Sequence, residues 1–185
     1  MKTKWGIVGM IVFFLLFSQV LCERVERVVD GDTLLLDNGE TVRLIGIDAP
    51  EYYKITDAEK FGFDEDYLYE WGVKAKLYME DRVLHRDVFL EYGWERRDKY
   101  GRLLAYVYLG HEMINRTMIE EGYARATPEF DFKYEEEFIK LEEEAKNEGK
   151  GMWHTENEKN LIPYAAIFVS IVLGVIVFAW FKKLK

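Results

Sequence analysis

Between Arg24 and Ile47 the hydrophobic positions come in short β-branched and leucine-rich runs, broken at Asp30-Gly31 and again at Asp37-Asn38-Gly39-Glu40. Short runs punctuated by turn residues predict three successive strands, about Arg24 to Val29, Thr33 to Leu36 and Thr41 to Ile47. Asn38-Gly39 is a pair that readily takes the positive φ angles of a type I′ hairpin turn. The period then changes: Leu68, Trp71, Ala75, Leu77 and Tyr78 recur at near-helical spacing, predicting a helix from about Asp66 to Val83. Val88 to Tyr92 and Leu103 to Leu109 form two more strands. Gly110 then turns the chain into a short helix, about Met113 to Glu121, which Gly122 stops. A last helix, about Tyr134 to Asn147, carries Phe138, Leu141 and Ala145 on one face and ends at Gly149 and Gly151.

Three strands, a helix, two strands and then helices is the element order of a five-stranded oligonucleotide/oligosaccharide-binding barrel with three helices, an α+β class that is mainly β. Both ends of the chain lie outside that pattern. Residues 1–22 place a mostly apolar run behind Lys2 and Lys4, the charge order of a signal peptide or signal anchor. Leu161 to Phe181 carries no charge, and at about 1.5 Å per residue it is long enough to cross a hydrocarbon core of about 30 Å. The expected organisation is therefore a domain at 23–153, a tether at 154–160, a transmembrane helix at 161–181 and a basic tail at 182–185. Lysines at both extremes predict cytoplasmic ends, which puts the domain on the extracytoplasmic side of the cell membrane whether or not the first segment is removed.

Charge argues against a general affinity for polyanions. The chain has 25 Lys plus Arg against 34 Asp plus Glu, and the terminal runs hold five of the cations and none of the acids. The domain is thus more acidic than the overall −9 suggests, and any grip on nucleic acid must come from a local cationic cluster. A single cysteine, Cys22, excludes an intramolecular disulfide and a cysteine-based zinc site. The three histidines, His85, His111 and His154, lack the spacing of a zinc hydrolase.

Three short stretches carry chemistry. Asp30-Gly31-Asp32-Thr33 is a turn with a short carboxylate at its exit, a way to hold a cation at the lip of a sheet. Arg43-Leu44-Ile45-Gly46-Ile47-Asp48-Ala49-Pro50-Glu51 ends a strand with two carboxylates around a proline, and Pro50 pushes Ala49 toward extended geometry, which presents its carbonyl. Asp32, Asp48 and the Ala49 backbone carbonyl make a hard oxygen set that matches calcium, and Glu51 is placed to orient or deprotonate a water. Arg96-Arg97-Asp98-Lys99-Tyr100-Gly101-Arg102 supplies the local cationic cluster, with guanidinium forks suited to phosphate oxygens.

Taken together, DGDT at 30–33, RLIGIDAPE at 43–51 and DKYGR at 98–102 resemble, in order and spacing, the staphylococcal nuclease (thermonuclease) family. The likeness runs on to Gly151-Met152-Trp153. It implies a calcium-dependent endonuclease acting on DNA and/or RNA with little sequence preference, in which an activated water attacks phosphorus and leaves 3′-phosphate ends. By the same resemblance Asp32, Asp48 and the Ala49 carbonyl hold Ca2+, Glu51 acts on the water, and Arg43 and Arg102 clamp the scissile phosphate. Tyr100 hydrogen-bonds a neighbouring phosphate, with Lys99 beside it.

Some positions depart from the family. Near Thr127-Pro128 no phenol stands where the family has a second pocket tyrosine, and the stretch from Tyr52 to Glu70 is acidic and aromatic where the family has a basic loop. Asn115-Arg116-Thr117 matches a glycosylation sequon, but on a helix expected to pack on the barrel. The alternative functions are a catalytically silent barrel that binds nucleic acid or protein at the membrane surface, and a calcium-binding adhesion or sensor module, which leaves the arginines unexplained. No protein partner is expected from the sequence.

Overall fold

The computed structural model describes residues 22–53, 61–127 and 131–154. The expected leader as far as Leu21, the tether from Thr155, the membrane helix at 161–181 and the basic tail lie outside the described residues; Cys22 is the first residue of β1. Among the described residues no helix is long and apolar enough to cross a membrane.

Alternation builds the first sheet. β1 (Cys22–Asp30) and β2 (Thr33–Leu36) pair antiparallel, and β2 pairs with β3 (Thr41–Leu44). The turn between β2 and β3 differs from the expected type I′, because of the two central residues only Gly39 has a positive φ, +84°. Asn38 instead uses its side-chain oxygen to accept from Glu40 N at 2.9 Å. Leu36 O accepts from Gly39 N and Leu36 N donates to Glu40 O, the bonding of a three-residue loop closed by a glycine bulge.

The third strand ends earlier than its hydrophobic run. Gly46 stands at φ +78°, and a Cβ there would lie 2.5 Å from the Phe132 ring, so the chain bends at a position only glycine fills. Beyond the bend β4 (Ile47–Asp48) pairs with β8 (Arg125–Ala126), a two-residue ladder too short to leave a periodic signal.

Helix α1 (Glu65–Val83) starts at an Asp64 cap, whose carboxylate accepts from Tyr67 N, and packs along β1. β5 (Asp87–Arg97) and β6 (Leu103–Leu109) pair antiparallel, with a short β7 (Glu112–Met113) at the edge. β5 runs several residues past its apolar alternation, because Arg97 re-enters the ladder opposite Leu103 after a bulge. The sheet order is β3-β2-β1-β5-β6-β7, and a parallel pairing of β3 with β6 closes five strands into a barrel. Closure leaves no open edge among those five strands.

The interior is filled by the inward positions of each strand, with Val25, Leu34, Val42, Leu44, Val88 and Ala105 at 1% exposure or less. Burying a leucine such as Leu34 contributes about 1.5–3 kcal/mol. α2 (Ile114–Glu120) and α3 (Glu135–Asn147) pack on each other, and a 3-10 turn at Gly151–Trp153 follows. Asn115 is fully buried: its Oδ1 accepts from Val107 N at 2.8 Å and its Nδ2 donates to Ile45 O at 2.9 Å. The sequon is a bolt between α2, β6 and the end of β3, as its expected packing position requires.

Candidate active site

The corner between β1 and β2 fixes the first carboxylates. Asp30 and Asp32 are each 5% exposed, and such groups are costly to bury unless bonded. Asp30 Oδ1 accepts from Asp32 N at 3.1 Å, Asp32 Oδ1 accepts from the Thr33 hydroxyl at 3.0 Å, and Asp32 Oδ2 accepts from Ala49 N at 2.8 Å. The last bond ties the DGDT corner to the Asp48-Ala49-Pro50 segment. A Cβ on Gly31 would stand 2.6 Å from Ala49 Cβ and 2.8 Å from Ala75 Cβ. Small residues on three elements thus let the corner, the segment and α1 meet.

Arg43 projects from β3 between the two aspartates. Its Nη1 forms an ion pair with Asp32 Oδ1, and its Nη2 donates to Asp48 Oδ1 at 3.1 Å. The Nη1 contact is close but lacks the angle of an aligned hydrogen bond, so its attraction is ionic. Burial pulls the Arg43 pKa down from its ordinary value, opposed by the charges of Asp48 and Asp30 and reinforced by that of Arg102. Burial likewise raises the Asp30 carboxyl, against the influence of Arg43, Thr33, Tyr53 and Arg102.

Arg102 reaches the site from the other end of the domain. Parallel pairing sets Val42 beside Leu103 and Arg43 beside Leu104, so the backbone of Arg102 lies about 8 Å from that of Arg43 by strand spacing and rise. The loop before it is locked by Asp98, whose Oδ1 accepts from Tyr100 N at 2.9 Å and Arg102 N at 3.0 Å while its Oδ2 accepts from Arg102 Nε at 2.7 Å. Tyr100 is 73% exposed, and the Arg102 Cζ and Lys99 Nζ sit 5.6 Å and 5.0 Å from its ring centroid.

Glu51 is half-buried, and its backbone rests on α1 at Gly72. Downstream, Tyr53 donates to Asp30 Oδ2 at 3.2 Å, and Lys76 donates to the Tyr52 hydroxyl at 3.1 Å. Burial, with Asp30 and Glu51 nearby, pushes the Tyr53 phenol up to about 12.

The structure thus brings Asp32, Ala49, Asp48 and Arg43 into direct contact, adds Arg102 through the β3–β6 pairing, and sets Tyr100 and Lys99 beside Arg102. Arg125 was not anticipated. It pairs with Asp48 across the β4–β8 ladder, and its Nε donates to Asp48 Oδ2 at 3.3 Å. A lone arginine in a two-residue strand carries no motif by which it could be found. Asp98 was part of a motif but carried no role, and its three bonds to the loop supply one.

Among the described residues no three or more His, Cys, Asp or Glu side chains form a metal-binding group. What the site does offer is two carboxylates, of Asp32 and Asp48, converging on a single cation, the Arg43 guanidinium, and these present oxygen donors. That donor set fits a hard divalent ion held by a few protein oxygens and completed by water.

A closed five-stranded barrel with helical additions, carrying paired aspartates and two arginines on β3 and at the foot of β6, defines a class whose comparisons agree. Residues 41–155 match the family described as staphylococcal nuclease homologue, and the chain belongs to that family. The match begins at Thr41, so the DGDT corner lies before it. An uncharacterized protein of Methanocaldococcus jannaschii is 35% identical over 150 residues, covering 72% of each chain. The thermonuclease of Staphylococcus hyicus is 34% identical over 136 residues, 70% of this chain and 74% of its own. An endonuclease of Bacillus subtilis is 34% identical over 134 residues, 69% of this chain and 59% of its own.

Proposed function

We propose that the protein is a calcium-dependent endonuclease that hydrolyses phosphodiester bonds of DNA or RNA with little sequence preference and leaves 3′-phosphate ends. The observation that carries this reading is the placement of Asp32 and Asp48 on one guanidinium, with a second arginine, Arg102, brought alongside by the parallel pairing of β3 with β6. The relatives named as thermonuclease and endonuclease support it.

In this reading Asp32, Asp48 and the Ala49 carbonyl would hold calcium, which would supply positive charge to the phosphate and acidity to a water beside it. Glu51 takes the proton of the attacking water. Arg43 and Arg102 donate to the phosphate oxygens and gain strength as charge builds on the five-coordinate phosphorus, so their stabilisation is larger at the transition state than in the ground state. Asp98 fixes the Arg102 side chain through Nε, which leaves the two Nη groups for phosphate. Tyr100 and Lys99 position the adjoining phosphate. Asp48 is held from both sides, by Arg43 and Arg125, which limits its rotation.

The apolar ends of the sequence add a location to the proposal: the domain works outside the cytoplasm, anchored by the C-terminal helix, where calcium is plentiful. Incubating the full-length chain with single-stranded DNA and calcium should give products ending in 3′-phosphate, and chelator should stop the reaction. Arg102→Ala should lower kcat about 100- to 1000-fold. Cleavage indifferent to chelator, or untouched by that substitution, would overturn the assignment, and calcium-dependent binding without cleavage would favour the silent barrel.

A further inference from the structure

We propose that the projecting end of β5, Tyr92 to Arg96, is a stacking platform for the bases of single-stranded polynucleotide lying beyond the scissile phosphate. The proposal rests on the nuclease reading for its substrate and extends it to a surface outside the catalytic motifs.

The ladder shows why this segment projects. β5 and β6 pair as far as Tyr92 opposite Ala105 and resume only at Arg97 opposite Leu103, so four residues of β5 face one of β6; Gly93 packs against Ile45, while Trp94, Glu95 and Arg96 are exposed. Trp94, in that excursion, is 77% exposed, and Tyr92 is 37% exposed. The Arg96 guanidinium lies over the Tyr92 ring at 4.3 Å, as Lys99 lies over Tyr100 at 5.0 Å.

The cations of this region fall into two kinds. Arg97 is bound by both oxygens of Glu40, at 2.8 and 2.7 Å, and Arg102 by Asp98. Arg96 and Lys99 lie over the rings of Tyr92 and Tyr100, and Arg96 adds its charge to that of Arg97 near Glu40. Positive charge resting on aromatic faces, interleaved with exposed rings, is the surface chemistry that recognises a sugar-phosphate strand and its bases.

Continuity with the phosphate site is set by the chain itself. Trp94 is within about 11 Å of Arg97, three residues away, and the ladder partner of Arg97 adjoins Arg102. Acidity makes the platform useful. A domain with this excess of acids gains little from long-range attraction, so affinity must come from short-range stacking that salt does not screen.

The test compares Trp94→Ala and Arg96→Ala with the wild type in the full-length chain, using a thymidine 12-mer and a thymidine dinucleotide as substrates. Trp94→Ala is expected to lower the ratio of kcat/KM for the 12-mer over that for the dinucleotide about tenfold, through KM, at both low and high salt. An unaltered ratio overturns the platform while the nuclease reading stands. Anisotropy of a labelled 12-mer in chelator separates the two claims: binding that depends on Trp94 without any cleavage on calcium addition supports the platform and sinks the nuclease. Trp94-dependent binding to phosphatidylcholine/phosphatidylglycerol vesicles, with 12-mer affinity unchanged, would make the segment a membrane contact and overturn the proposal.

Discussion

Gly72 offers a substitution whose effects on stability and on catalysis should part company. It lies inside α1, where alanine is normally preferred to glycine by about 1 kcal/mol. An added Cβ, however, would meet Pro50 O at 2.7 Å, Tyr52 N at 2.8 Å and the Glu51 carbonyl carbon at 2.9 Å. All three are backbone atoms, so no rotamer change relieves the overlap, and the Pro50–Tyr52 segment must retreat by about 0.7 Å to reach ordinary contact. Overpacking of this kind costs about 1–3 kcal/mol, which the helical preference partly offsets. Gly72→Ala is therefore expected to lose only about 0–2 kcal/mol.

Catalysis should suffer more, because the moving segment carries Glu51, and a displacement near 1 Å costs about 100-fold in rate. Denaturant unfolding and kcat on single-stranded DNA, measured on the same preparation, give the two numbers. Calcium affinity should stay near the wild-type value, since Asp32 and the Ala49 N–H are anchored on the far side of Pro50. Gly31→Ala makes the complementary case: its Cβ would press on the methyls of Ala49 and Ala75, so it should weaken calcium binding as well as activity. A Gly72→Ala protein about 1 kcal/mol more stable than wild type, with full kcat, would refute the close approach and the role given to Glu51.

Other outcomes follow from the same contacts. Arg43→Ala should cost about 3–5 kcal/mol of stability by leaving the Asp32 and Asp48 charges without their shared partner, whereas Arg102→Ala, a third exposed, should cost about 1 kcal/mol or less; equal losses in thermal or denaturant unfolding would contradict the burial difference. Burial raises the Asp98 carboxyl, but bonds from the Arg102 side chain and from the Arg102 and Tyr100 amides bring it below its ordinary value. A depressed carboxyl stabilises the fold above its unfolded pKa of about 3.8 and loses that contribution as pH falls further, so Asp98→Asn should shrink the stability difference between pH 7 and pH 3. Asn115→Ala removes the partner of Val107 N and should destabilise by about 2–3 kcal/mol, and glycan attachment at Asn115 in the folded protein would contradict its burial.

Most of the barrel was legible because its strands bury one face, and alternation reports that directly. The departures have specific causes. The Asn-Gly pair alone predicts a type I′ turn, yet the Asn38 side chain accepts from Glu40 N and only Gly39 lies in the left-handed region. Apolar neighbours predict a third strand that runs through Gly46, whereas the chain bends there at a positive φ, with the Phe132 ring, more than eighty residues away, leaving no room for a Cβ. β5 was cut at Tyr92 because the residues beyond it face solvent, and pairing through Arg97 leaves no hydrophobic period to read. The bend at Gly46 and the extension of β5 thus involve partners distant in sequence, whereas the turn type rests on a side chain two residues from its acceptor amide.

The site followed the same division. Asp32, Arg43, Asp48 and Arg102 stand out because motifs place unusual residues at strand ends, but motifs carry no measure of how those residues meet. The meeting is produced by two things no local pattern encodes: the parallel closure of β3 on β6, which carries Arg102 to Arg43, and the small side chains of Gly31, Ala49 and Ala75, which let two loops and a helix share one corner. Charge makes the point again. The acids that dominate the composition are concentrated partly on α3, where Glu142 and Glu144 pair with Lys146 and Lys140, whereas in the segment 96–102 Arg96 and Lys99 lie over the rings of Tyr92 and Tyr100. Net charge therefore misjudges such a protein as a ligand for polyanions, because an attraction screened over about 8–10 Å is decided by the nearest few side chains and not by the sum over the chain.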